Sequence, residues 1–218
     1  MKNIESLPKK TIIFAIIAVV VYLVFFFFLD RTIDLWINNN YAETWLHDLG
    51  YYISYSAYDP FIKVALAFCF VIIFLIDPGI KKQWVRSLLY ICVSVSIAII
   101  IGDGLKFILG RYRPVMLFEN NLYGLTLFTS EWALNSSPSG HTLRAFALMT
   151  AISLLYRKFA VVFISIAVLI GLSRIVVTDH YPSDVLFGAF IGVITSVWTY
   201  YYFILKPMNS QIQDNKSI

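Results

Sequence analysis

The sequence predicts an all-α polytopic membrane protein, a bundle of six transmembrane helices whose polar residues gather at the outer face. Three observations carry that reading. The chain of 218 residues is 59% hydrophobic and only 14% charged, too apolar for a soluble domain yet of a length suited to one compact membrane domain. Its apolar residues fall into six runs close to the ~20 residues that a spanning helix needs. Its Lys and Arg residues sit in alternate loops, the pattern that sets membrane orientation.

Taken in order, the runs are residues 11–29, 61–76, 84–101, 143–156, 159–177 and 185–205. No small-residue cleavage site follows Leu29, so the first run reads as a retained span rather than a signal peptide. The second and fourth runs are short and are expected to extend into their flanks. Lys2, Lys9 and Lys10 precede the first span, and Lys81, Lys82 and Arg86 mark the turn between the second and third. Arg157 and Lys158 separate the fourth and fifth, and Lys206 and Lys216 follow the sixth. All fall on one side, which places both termini in the cytoplasm of an inner (plasma) membrane protein. The opposite loops, 30–60 and 115–137, carry Asp30, Asp34, Glu43, Asp48, Asp59, Glu119 and Glu131 and many aromatics, which read first as an interfacial belt, with Glu119, Glu131 and Trp132 as candidates for recognising a substrate. Residues 1–218 read as one membrane-embedded domain with a disordered polar tail at about 209–218.

The net charge of +4 is small and its basic residues are scattered in short groups beside apolar runs. A nucleic-acid partner would want a continuous basic stripe, so none is expected. Cys69 and Cys92 lie inside apolar runs and read as small buried hydrophobes, with neither a disulfide nor a metal site suggested.

Three polar blocks interrupt the apolar pattern, and the topology brings all three to the outer side. The first runs from Lys106 to Arg113-Pro114. Lys106 and Arg113 are seven apart, two helical turns, which would place them on one face before Pro114 stops the helix. Arg111 would point elsewhere, as support toward lipid headgroups. Snorkelling anchors are the plainer reading of these cations taken alone.

The second block, Pro138-Ser139-Gly140-His141, opens the fourth span. A helix start presents free N–H groups and a positive dipole end to an anion. Gly140 allows close backbone approach, Ser139 can cap or donate to a phosphate oxygen, and His141 can shuttle a proton. Alone, the tetrapeptide is equally a helix cap with an interfacial histidine.

The third block is the most specific. Arg174 can fork onto phosphate oxygens. His180 and Asp184 are four apart, so a helical start would set the carboxylate against the imidazole, fixing its tautomer and leaving the other nitrogen as a nucleophile. A pore or topology pair is the alternative. A zinc reading of His180 and Asp184 lacks a third ligand, and the surrounding cations would attract phosphate and repel a metal. Neither metal nor cofactor is expected.

Lys-x6-Arg-Pro, Pro-Ser-Gly-His and Ser-Arg-x5-His-x3-Asp, in this order, resemble the three signatures of the type-2 phosphatidic acid phosphatase family, which is related to vanadium haloperoxidases. The likeness runs from Lys106 to about Gly192, with the six-span layout around it, and His180-Tyr-Pro-Ser-Asp184 is similar to the bacterial members. The resemblance implies a metal-independent phosphohydrolase acting at the periplasmic or outer face. It implies His180 as nucleophile forming a phosphohistidine, Asp184 orienting it, and His141 protonating the leaving group and then activating water. Lys106, Arg113, Ser139, Gly140 and Arg174 would hold the phosphate oxygens. Asp179, beside His180, departs from the small or apolar residue expected there.

A lipid phosphatase releasing inorganic phosphate is the leading expectation. The substrate would be phosphatidic acid, phosphatidylglycerol phosphate, a polyprenyl diphosphate or a lipid A phosphate. Transfer of the phosphoryl group to another lipid uses the same residues. A channel or transporter would need polar residues continuing through the bilayer, and the runs are apolar at depth.

Overall fold

A computed structural model describes residues 6–55 and 59–207; the expected tail and the charges Lys2 and Lys216 lie outside them. Among these residues the regular structure is entirely helical, with a single isolated bridge between Arg111 and Leu125. Helix α1 (Leu7–Val24) runs through a π-helical turn (Phe25–Leu29) into α2 (Asp30–Tyr41). Next come α3 (Trp45–Tyr55), α4 (Asp59–Ile76), α5 (Gln83–Leu109) and the short α6 (Pro114–Asn120). Helices α7 (Gly140–Leu155), α8 (Ala160–Val176) and α9 (Pro182–Tyr200) complete the bundle, α9 ending in a second π-helical turn (Tyr201–Leu205).

Among the described residues five helical stretches, within Leu7–Tyr41, Trp45–Ile76, Gln83–Leu109, Arg157–Val176 and Pro182–Leu205, are long and apolar enough to cross a membrane. The fourth expected span corresponds to α7, whose 16 residues reach about 24 Å at 1.5 Å per residue. That falls short of the ~30 Å hydrocarbon core. Burial accounts for the length: α7 sits among α5, α8 and α9, so protein rather than lipid surrounds it. By contrast the outer faces of the other helices expose Phe28, Phe74, Leu75 and Val161, the surface expected of a lipid-facing wall.

The segment 30–60, expected as an outer connection, is largely helical. Leu7–Tyr41 is 35 residues long, about 50 Å, and therefore outruns the hydrocarbon core. Its polar end α2 packs on α8 and α9 and buries Asp30, Asp34 and Ile37. The run of apolar residues marked where the lipid contact ends, and the helix does not stop there.

Helix α9 packs closely on α7 because of two glycines. A Cβ on Gly192 would lie 2.5 Å from the Leu143 carbonyl oxygen and 2.7 Å from the Ala147 nitrogen; one on Gly188 would lie 2.8 Å from the Ser139 carbonyl oxygen. Small residues one turn apart let backbones approach, which in a membrane is a main source of helix association. At the same seam the Ser196 hydroxyl donates to the Ala147 carbonyl at 2.7 Å. Val95 and Ala98 of α5, Leu143 and Ala147 of α7 and Ile191 of α9 form the central apolar cluster directly below the polar end.

Candidate active site

The C-terminal ends of α5 and α8 and the N-terminal ends of α4, α7 and α9 lie at one end of the bundle. There they enclose a cavity of about 240 Å³ lined by Lys106, Arg113, Gly140, His141, Arg174 and His180, together with Asp59, Asp103, Trp132, Arg144 and Asp179. Ser139 and Asp184 are fully buried behind this lining.

Each block reaches the cavity by its own local geometry. Lys106 stands in the last turn of α5, which stops because Gly110 takes a left-handed conformation at φ 53°. Arg113 is therefore not on the helix of Lys106, contrary to the two-turn expectation; it is extended before Pro114, the first residue of α6. Its Nε donates to the Trp132 carbonyl at 3.0 Å, and its guanidinium lies 4.4 Å from the Trp132 ring centre. The 115–137 segment thus fixes a cation of the site.

Ser139 precedes α7 without a side-chain cap. Its N–H donates to the Asp184 carbonyl at 3.0 Å, and its hydroxyl accepts from Thr142 at 3.0 Å. Arg174, in the last turn of α8, pairs with Asp179. Its carbonyl receives the N–H groups of Asp179 at 3.2 Å and His180 at 3.3 Å, which folds the chain back so that His180 meets the α9 start. Asp179 accordingly holds Arg174 in place.

His180 is 1% exposed. Its Nδ1 stands 4.0 Å from the Asp184 carboxylate, adjacent but beyond hydrogen-bond reach, and has no partner. The carboxylate is engaged elsewhere: Oδ2 accepts from Ser136 at 2.6 Å and from the Tyr181 N–H at 3.1 Å, and Oδ1 accepts from Arg111 at 2.5 Å. Burial first, then the charges of Arg113, Arg174, Lys106 and His141, hold the His180 pKa well below its ordinary 6.5. The imidazole is neutral at physiological pH, the form with a lone pair to give.

Arg111, expected to face headgroups, is fully buried. One end of its guanidinium donates to Asp184 and to Ser183 at 2.6 Å, the other to Asp30 at 2.7 Å and Tyr123 at 3.1 Å. Tyr181 and Phe26 lie over it at 4.3 and 4.8 Å. Burial opposes its charge, but Asp184, Tyr22 and Asp30 outweigh that and raise its pKa. Asp30 also accepts from the Ser183 N–H at 3.0 Å and pairs with the Ser183 hydroxyl. Arg111 is thus a strut tying the first helix to the start of α9.

Sequence reasoning overlooked Arg144, Asp59, Asp103 and Asp30. Arg144 and Asp103 had a signal, lying four after Gly140 and three before Lys106 on the same helix faces. Asp30 had none, since its partner Arg111 is 81 residues away.

A helical membrane bundle with a polar cavity, three motif cations and two histidines at one end defines a class of anion-handling membrane proteins. The chain belongs to the PAP2 superfamily, whose profile matches residues 87–207. A lipid A 1-phosphatase from Rhizobium etli is 32% identical over 119 residues, 53% of this chain and 50% of that protein. The chain thus spans about half the length of these curated relatives. The bacitracin transport permease protein BcrC of Bacillus licheniformis is 24% identical over 167 residues, 73% of this chain and 78% of that one. Among solved structures, Aquifex aeolicus LpxE is similar with a TM-score of 0.59 and 25% identity, covering 81% of this chain and 97% of its own. A PAP2-type phosphatidylglycerolphosphate phosphatase from Bacillus subtilis shares the fold (TM-score 0.58, 17% identity, 90% and 96% coverage).

Proposed function

We propose that the protein is a membrane lipid phosphatase that releases inorganic phosphate through a phosphohistidine on His180. The observation that carries this reading is the cavity itself: Lys106, Arg113 and Arg174 line it together with His141 and His180 at one end of the bundle. Phosphoryl transfer asks mainly for positioning and charge stabilisation, and this lining supplies both.

In the proposed sequence, Lys106, Arg113, Arg174 and the N–H groups at the start of α7 hold the phosphoryl oxygens. Neutral His180 attacks phosphorus as His141, carrying a proton taken up with the anionic headgroup, protonates the departing oxygen. The new bond makes the imidazole cationic, and Asp184 then closes its 4.0 Å gap to a hydrogen bond; such contacts commonly tighten only in the substrate complex. Water, deprotonated by His141, splits the phosphohistidine. Ser139 acts through its hydrogen bonds to Asp184 and Thr142. In this reading the bundle crosses the membrane six times, with α7 as the span enclosed by protein, both termini in the cytoplasm and the cavity facing outward, which the distribution of Lys and Arg supports.

The substrate is a lipid whose headgroup enters the cavity from the bilayer. The relatives named for lipid A and phosphatidylglycerol phosphate support that class. Phosphate release from phosphatidic acid, phosphatidylglycerol phosphate, a polyprenyl diphosphate and lipid A tests it, using detergent-purified protein in excess chelator. Release by the wild type with none from His180→Ala is expected; release unchanged by that substitution rejects the mechanism.

A further inference from the structure

Arg144 is a cavity cation that the three signatures do not contain. It is 7% exposed and its Nη1 donates to Asp59 at 2.8 Å, with Asp59 also pairing Lys63 at 2.7 Å. Its position relative to the two histidines is informative. Both Arg144 Nη1 and Lys106 Nζ crowd the first turn of α7, at 3.1 and 3.2 Å from where a Cβ on Gly140 would stand. Arg144 follows His141 by three residues on α7, one helical turn, whereas Arg113 and Arg174 reach the cavity from the α5–α6 link and the end of α8. Arg144 therefore belongs to the side of the proton donor, where a leaving group departs, rather than to the side of the nucleophile.

The arithmetic of the anion points the same way. The terminal phosphoryl group offers three oxygens outside the scissile bond. Lys106 with the forks of Arg113 and Arg174 already provides more N–H donors than those oxygens need. A further guanidinium on the leaving-group side has no work to do for an alkyl ester, whose departing oxygen needs one proton from His141. It does have work when the departing oxygen belongs to a second phosphate, because that group leaves with negative charge in a partly dehydrated space.

We propose that Arg144 is the anchor of a second phosphate subsite, so that the preferred substrates are lipid diphosphates, with Asp59 holding the guanidinium until the headgroup arrives. This rests on the phosphatase reading of the same cavity. His180 attacks the terminal phosphorus, forming a P–N bond and breaking the bond to the bridging oxygen. The lipid monophosphate departs on Arg144 with its proton from His141. Water then cleaves the P–N bond, giving inorganic phosphate and returning a proton to His141.

The test compares farnesyl diphosphate with farnesyl monophosphate, identical in their apolar part, using detergent-purified full-length protein. Arg144→Gln is expected to lower kcat/KM for the diphosphate at least about tenfold more than for the monophosphate, the loss of a charged hydrogen bond. Arg144→Lys is expected to restore part of that difference. Equal losses on both substrates, or none on the diphosphate, overturn the subsite. A second readout is independent of turnover: pyrophosphate should raise the melting temperature of the wild type more than orthophosphate at equal concentration, and Arg144→Gln should abolish the difference. Wild type that cleaves neither farnesyl compound but keeps this preference defeats the phosphatase reading and leaves the subsite standing; equal protection by the two anions defeats the subsite.

Discussion

Arg111 and His180 face each other across Asp184, and their states are complementary. Arg111 is buried with its charge intact because two carboxylates flank it, whereas His180 is buried among cations and stays neutral. Removing one partner of a buried charge cluster costs roughly 3–5 kcal/mol, because the other charges are left uncompensated. Arg111→Gln should therefore lower the melting temperature steeply as well as activity, and Asp30→Asn should do so in the same direction. Thermal unfolding in detergent checks both; a stable but inactive Arg111→Gln would instead make Arg111 a phosphate ligand. For His180 the sign follows from the depressed pKa. The unfolded chain binds a proton near pH 6.5 that the folded site refuses, so the histidine's contribution is complete above that pH. It is lost as pH falls below 6.5 toward the folded pKa. Between pH 7 and pH 5 the wild type should lose more thermal stability than His180→Asn. The order and spacing of the three blocks made these motif positions visible in the sequence. The strut was not, because a charge pair spanning 81 residues leaves no periodic trace.

The seam between α7 and α9 sets the distance between the Pro-Ser-Gly-His block and the His180 block. Gly188 and Gly192 leave no room for a side chain against the α7 backbone, and backbone cannot move aside as a flexible side chain would. Gly192→Val should cost about 1–3 kcal/mol or more through overpacking and should lower kcat by displacing Ser139 and His141 relative to His180. Circular dichroism melts and phosphate release, measured on the same preparation, check the pairing of the two effects. Apolar runs located the helices to within a few residues for α8 and α9, where the hydrophobic signal coincides with the helix, whereas α5 runs eight residues past the expected end at 101, to Leu109. They failed for 30–60, where amphipathic α2 and α3 carry only scattered apolar residues, and for Arg113, where Gly110 and Pro114 break the helix that spacing alone assumed.

Across the whole molecule, charge divides the bundle. Lys81, Lys82, Arg157, Lys158 and Lys206 cluster away from the cavity, at the other ends of the helices that form it. A cysteine placed at Glu119 should react with a membrane-impermeant maleimide in intact cells, and one at Lys158 only after lysis. The reverse pattern would turn the cavity to the cytoplasm and remove outer-leaflet lipids as substrates. In the proposed reading the apolar walls and the polar end present a phosphate site at the edge of a bilayer, and the chemistry proposed for that site leaves a covalent trace. Rapid quench of wild-type protein with a lipid substrate carrying labelled phosphate should trap an acid-labile, base-stable label that peptide mapping assigns to His180 and that His180→Asn lacks. Phosphate released at full rate with no label on His180, or with the label on another residue, would contradict the mechanism.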